Sequence, residues 1–193
     1  MPLDKQFNVD DALTRAMEAF WAHGYEATSM QDLVTATGVN RASLYATYGD
    51  KRALFLAAVR KYDREVRAAA LSTLARGEDP RAAMAALFDR FISQTDARDR
   101  NWGCLLTNSA LELAAHDSEI ARIVNAGQAE IEAFFRRLIE RGQATGQFRA
   151  TLSAPVLARQ GLAALLGVLV MIRSRPDPQH LRAVRGGTRA ALP

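Results

Sequence analysis

Apolar side chains return along this chain every three or four residues, and almost nowhere every second one, so the pattern predicts helices and little or no sheet. From Val9 to His23, Leu13, Met17 and Phe20, with Ala16 beside them, make one apolar stripe. Asn8 is placed to cap that helix, Asp10 and Asp11 suit its positive end, and Gly24 predicts a left-handed stop. A second helix opens at Thr28-Ser29, where Thr28 and Gln31 have capping-box spacing and Met30, Leu33 and Val34 form the inner face. Gly38 closes it, Val39 follows as a buried plug, and Asn40 caps a short third helix from Arg41 to about Ala46 whose apolar member is Leu44. Gly49-Asp50 then stops the chain and restarts it as a long helix reaching about Ala75.

Longer amphipathic helices follow. Pro80 suits a first turn, with Met84, Leu87, Phe88 and Phe91 inward. A charged break from Asp96 to Arg100 precedes a helix from Cys104 to about Ala115. Asp117 or Ser118 caps the next, which runs to about Ala144, and Ser153-Ala154-Pro155 starts another through Ile172. A last helix is predicted over 179–190. Between Val156 and Ile172 apolar residues occupy every face, which predicts burial all round. Part of that burial is expected against a second copy of the chain, and Ala163 and Gly167 permit a close crossing; the alternative is the central helix of a monomeric bundle. The fold class expected is all-α, about nine helices, with residues 1–52 as one part and 53–193 as the other.

Composition sharpens this picture in three ways. Ala and Leu dominate over β-branched and aromatic residues, as helices favour. The one cysteine, Cys104, excludes an internal disulfide framework. The polar N-terminus is unlike a secretory signal, and the longest uncharged apolar run, Gly161 to Ile172, falls short of the ~20 residues a membrane helix needs. A soluble cytoplasmic protein with no membrane partner is therefore expected. The net charge of +4 permits a nucleic-acid partner without establishing one. Its distribution tells more: residues 1–37 are acidic, whereas from Gly38 to Arg64 six basic residues, Arg41, Lys51, Arg52, Arg60, Lys61 and Arg64, face only Asp50 and Asp63.

Helix, tight glycine turn, short helix is the shape of a helix-turn-helix, whose second helix enters a DNA major groove. Leu33, Val34, Val39 and Leu44 would fix the angle between the two. Exposed on the third helix would be Arg41, Ala42, Ser43 and Tyr45. An arginine reads guanine through two hydrogen bonds, and small residues allow close approach to base edges. Thr28 and Ser29, at a helix N-terminus, suit a phosphate; Tyr45 and Tyr48 offer hydroxyls, and Lys51 a point charge. The tyrosines also read as half-buried packing residues, and Lys51 and Arg52 as a solvated helix start.

The run from Ala12 to Phe55 resembles the DNA-binding domain of TetR/AcrR-type regulators. Ala19-Phe20, Gly24-Tyr25, Thr28-Ser29-Met30, Ala36-Thr37-Gly38-Val39, Ser43-Leu44-Tyr45, Tyr48, Lys51 and Leu54-Phe55 carry the likeness, and Gly103-Cys104-Leu105-Leu106 is similar to a sequence in one branch of that family. The resemblance implies a ligand-responsive regulator that is not an enzyme: a homodimer, paired through the helices around 154–172 and 179–190, on a near-palindromic double-stranded operator. It implies DNA contacts at Thr28, Ser29, Arg41, Ser43, Tyr45, Tyr48 and Lys51, and repression relieved by a small apolar effector. The acidity of helix 1 and of Asp32 departs from the pattern and requires those carboxylates to face away from phosphate.

Other chemistry is thin. Cys104, at a helix start near Arg98 and Arg100, is a candidate electrophile or redox sensor, and equally a small buried hydrophobe. His23, His116 and His180 have no metal-ligand spacing, and no cofactor or metal is expected. An activator of the same fold would use the same DNA contacts. From another class, a helical enzyme or protein-binding module with a vestigial helix-turn-helix remains the alternative.

Overall fold

The computed structural model describes residues 7–98, 101–174, 177, 179–181, 183 and 184. Nine α-helices and one π-helical segment follow one another among them, with no strand: α1 (Val9–His23), α2 (Met30–Thr37), α3 (Arg41–Tyr48), α4 (Lys51–Tyr62), a π turn (Asp63–Ala68), α5 (Ala69–Ala75), α6 (Pro80–Arg98), α7 (Leu105–Glu112), α8 (Ser118–Ala144) and α9 (Ala154–Arg173).

Helix α1 starts where expected: the Asn8 side chain accepts from the backbone N–H groups of Asp10 and Asp11, satisfying two donors that the helix cannot pair. Its stripe of Ala12, Ala16, Met17 and Phe20 is buried against α2 and α4. Phe20 meets Phe55 of α4 edge to face at 5.0 Å, and Trp21 meets Tyr62 at 4.8 Å. Helix α4 thus belongs to the first bundle by packing, although it continues into the second through the π turn and α5.

Several local expectations are corrected. The stop after α1 has φ 92° and ψ 172° at Gly24, a positive φ but not the left-handed helical well. The capping box of α2 is Ser29 with Asp32 rather than Thr28 with Gln31, because the chain enters the helix one residue later. Helix α3 runs on to Tyr48. The long helix to Ala75 is interrupted by the π turn, a register slip of the kind found at functional places. Helix α6 continues through Arg98, and α7 ends at Glu112 rather than near Ala115. Of the segment 179–190, residues 179–181, 183 and 184 are helical and the rest lies outside the described residues.

Helices α6, α7, α8 and α9 form the second bundle around Phe88, Phe134, Phe135 and Ile139. Helix α9 is not buried all round within this chain. Leu165, Val168, Leu169 and Ile172 face the core, while Val156 and Val170 are 40% and 42% exposed and a Cβ on Gly167 would meet nothing. At 20 residues and mean hydropathy 1.8, α9 is also long and apolar enough, by length and composition, to cross a membrane, which the shorter uncharged run had not suggested.

Candidate nucleic-acid interface

Two short helices with few residues to bury are held here mainly by their ends. Ser29 Oγ accepts from the Asp32 N–H at 3.1 Å, and the Asp32 carboxylate accepts from the Ser29 N–H at 2.8 Å. Gly38 turns the chain at φ 70°, ψ 12°, a conformation that costs a residue with a Cβ about 1 kcal/mol or more. Asn40 Oδ1 then accepts from the Ser43 N–H at 2.9 Å and launches α3. Leu33, Val39 and Leu44 are buried beneath the turn. Each such side chain contributes roughly 1.5–3 kcal/mol by leaving water, so these three fix α3 against α2.

This arrangement leaves one face of α3 outward. Arg41 and Ala42 are exposed, and Ser43 and Tyr45 are half-buried. Arg41 Nη2 donates to the Tyr45 hydroxyl at 3.1 Å, and its guanidinium lies 5.3 Å from that ring's centroid. The pair makes a pre-ordered donor surface, since Arg41 retains N–H groups that this contact does not use. Lys51, half-buried, has its ammonium 4.3 Å from the centre of the Tyr25 ring.

Other anticipated residues sit differently. Thr28 is buried, and its hydroxyl donates to the Gly24 carbonyl at 2.6 Å, so it ties the end of α1 to the start of α2. The Ser29 hydroxyl is exposed but donates to the Asp32 carboxylate at 2.6 Å, placing an anion of the chain itself beside the N-terminus of α2. Hydrogen bonds from the Ser29 side chain and backbone hold the Asp32 carboxyl below its usual range. Asp32 is exposed but turned onto its own cap. The Tyr48 hydroxyl donates to the Val9 carbonyl at 3.0 Å, locking α3 to α1, and burial raises its pKa.

The basic run from Gly38 to Arg64 is mostly spent on internal pairs. Arg52 pairs with Asp117 at 2.7 Å and Glu119 at 3.2 Å, and Arg60 with the same Glu119. Lys61, 4% exposed, pairs with Asp10 at 2.6 Å and Glu65 at 2.9 Å. Among the described residues, Arg41 and Lys51 are the cations of this run that pair with no carboxylate. The Arg52 guanidinium, with the backbone N–H of Ile120, draws Asp117 down to about 2.

Those pairs belong to a seam that sequence reasoning missed. Glu112, the last residue of α7, accepts from the N–H groups of Tyr25 and Glu26 at 3.0 and 2.7 Å. Trp21 Nε1 donates to the Gly103 carbonyl at 3.1 Å, and Arg173 Nη1 donates to the Ala22 carbonyl at 2.7 Å. The α1–α2 corner is thereby held by α7 and α9, through partners 82 to 151 residues away in sequence.

Cys104 is the N-cap residue of α7 and is buried. Among the described residues, no three His, Cys, Asp or Glu side chains are grouped to hold a metal ion.

Comparison with known proteins matches this architecture in both halves. The family model for bacterial regulatory proteins of the tetR family matches residues 12–58, and the model of a tetracyclin repressor-like C-terminal domain matches residues 80–187. The uncharacterized HTH-type transcriptional regulator YezE of Bacillus subtilis is 36% identical over 151 residues, 76% of this chain and 78% of that one. The HTH-type transcriptional repressor ComR of Escherichia coli is 29% identical over 185 residues, 95% of this chain and 88% of its own. Among solved structures, a cysteine-substituted mutant of the TetR family regulator CifR, complexed with 26-bp double-strand operator DNA, superposes with a TM-score of 0.83 at 28% identity, covering 97% of each chain. A TetR-family regulator from Agrobacterium tumefaciens has the same fold, with a TM-score of 0.85 at 21% identity over 98% of this chain and 99% of that one. The protein is therefore a DNA-binding transcriptional regulator rather than an enzyme, and it belongs to the TetR family.

Proposed function

We propose that the chain acts as a homodimeric repressor that places two copies of α3 in successive major grooves of a near-palindromic operator and is released by a small apolar effector. The observation that carries the DNA reading is the outward face of α3. Arg41 and Tyr45 stand pre-ordered there with Ala42 and Ser43 beside them, over a buried Leu44. Arg41 would read a base edge, Ala42 and Ser43 would allow the close approach, and Lys51 would meet the backbone. Thr28 and Tyr48, whose hydroxyls are engaged internally, would position the helices, and Ser29 would reach a phosphate only by exchanging its bond to Asp32. A repressor, ComR, and a CifR complex with operator DNA among the similar proteins support this reading.

The dimer reading rests on α9. Val156, Gln160, Ala163, Gly167 and Val170 are exposed at alternating four- and three-residue steps, a line of mostly small and apolar positions along one face. In a twofold pair such a face covers itself. In this reading residues 1–52 bind DNA and 53–193 pair and sense, with α4 serving both because it packs on α1. Sensing by Cys104 through its thiol is a separate, weaker reading; unchanged release of Cys104→Ser from DNA by electrophiles would end it.

The test is operator binding over a range of salt concentrations. A dimer making several phosphate contacts loses roughly 10³–10⁵ in affinity between 50 and 200 mM salt, yet keeps its preference over random DNA. Salt-dependent binding without any preference would leave only attraction between charges.

A further inference from the structure

We propose that Tyr25 is a positioning residue for DNA binding: the face of its ring holds the Lys51 ammonium ready for a backbone phosphate. This deepens the DNA reading above and rests on Lys51 meeting the backbone there. Lys51 is the first residue of α4, where the free N–H groups of a helix start repel a cation rather than attract it. Its stem is long and flexible, and a lysine so placed would swing free in water. Among the described residues no carboxylate pairs with it. Asp50 and Asp32, acids near it, are engaged at helix starts: Asp50 accepts from the Ala53 N–H at 2.7 Å, and Asp32 from the Ser29 N–H at 2.8 Å. Arg52, the next residue, is drawn to Asp117 and Glu119. What holds Lys51 is the Tyr25 ring, whose centroid is 4.3 Å from the ammonium, with both side chains half-buried.

The ring is itself fixed. It packs against Phe55 of α4 at 4.9 Å and stacks on Phe20 of α1 at 6.2 Å between centroids. The Tyr25 backbone N–H donates to Glu112 of α7 at 3.0 Å, so the corner that carries the ring is tied to the second bundle. A fixed aromatic face attracts a cation through its quadrupole. It also leaves donors over, since an ammonium has three and a ring face engages only one side of it. The ordering that a free lysine would undergo on meeting a phosphate is thus already complete. The gain is in affinity for the backbone and carries no sequence information. Tyr25 sets how tightly the protein holds any duplex, while Arg41 and its neighbours on α3 choose which one.

The experiment is a double-mutant cycle on the full-length protein, with Kd for a fluorescein-labelled random-sequence duplex read by anisotropy at one low salt concentration. Tyr25→Leu keeps apolar bulk over Phe20 and Phe55 but removes the aromatic face. It should weaken binding about two- to tenfold when Lys51 is present, and not at all in Lys51→Gln, where no ammonium is left to hold. Tyr25→Phe keeps the face and should bind as the parent does. A merely structural loss at this corner would weaken both backgrounds alike. Should Tyr25→Leu fail to fold, the parent gives a second measurement: NMR spectra should show the Lys51 Hε protons shifted upfield by the ring, both free and on the duplex. Equal losses in the two backgrounds, no loss in either, a loss in Tyr25→Phe as large as in Tyr25→Leu, or Hε resonances of a free lysine would each overturn the proposal. The two readings fail separately. Unchanged binding by Lys51→Gln would remove Lys51 from the backbone contacts, and the positioning role with it. Weakened binding by Lys51→Gln beside unchanged binding by Tyr25→Leu would remove the positioning role alone.

Discussion

Replacing Glu112 with Ala should weaken the whole protein, although Glu112 is not among the buried core residues. Its carboxylate is the shared acceptor for two backbone N–H groups at the α1–α2 corner, at 3.0 and 2.7 Å. A hydrogen bond to a charged group contributes roughly 1.5–3 kcal/mol. The Glu26 N–H is exposed and water can replace its partner at little cost, whereas the Tyr25 N–H is half-buried and cannot be resolvated as well. The sum expected is about 2 kcal/mol, or roughly 4–8 °C in Tm for a chain of this size. Urea unfolding followed by the fluorescence of Trp21 and Trp102, at one fixed protein concentration, reads it directly, since both indoles sit at the seam 5.5 Å apart. Glu112→Gln, which keeps one neutral oxygen, should lose about half as much. A loss below about 0.5 kcal/mol for Glu112→Ala would refute the reasoning, because the corner would then be held by the first bundle alone.

Three further outcomes follow from the same geometry. Arg41→Ala should weaken operator binding by about 1–3 kcal/mol and relax selectivity at one base pair, as competition binding with single-base variants of the operator would read. Lys51→Gln should weaken binding to all sequences alike and reduce the salt slope by about one, which the same titrations at several salt concentrations measure. Asp117, held down to about 2 by Arg52, has a folded pKa below its unfolded value near 3.9. Its contribution to stability is therefore full above the unfolded value and lost as pH falls through the folded one. The stability gap between the parent protein and Arg52→Gln should be flat above about pH 5 and close between about pH 4 and 2; unfolding curves across that range check it.

What the sequence made legible was local. The stripe of Ala16, Met17 and Phe20, the caps at Asn8, Asn40 and Asp50, and the turn at Gly38 are each dictated within a few residues, and each is found as read. The helix-turn-helix and its outward Arg41 follow from those signals alone. Pairings across the fold were not legible. Arg52, Arg60 and Lys61 looked like a basic patch because Asp117, Glu119 and Asp10 are distant in sequence, yet they neutralise it in space. Thr28 and Ser29 could each have capped α2, and only the burial of Thr28 against the Gly24 carbonyl separates them. The π turn had no visible mark either: the run from Asp63 to Ala68 is as helix-prone as its flanks, and the extra residue is accommodated by packing, with Arg67 seated against Gly127.

The central claim is specific recognition of DNA by α3, and footprinting tests it most directly. The purified protein would be applied, at fixed salt and with random competitor, to the DNA upstream of its own gene and then to genomic fragments. The account predicts a protected near-palindrome whose halves lie about one helical turn apart, ~34–36 Å, and loss of that protection with Arg41→Ala. Uniform weak protection on every fragment, removed by the competitor and indifferent to Arg41, would contradict it.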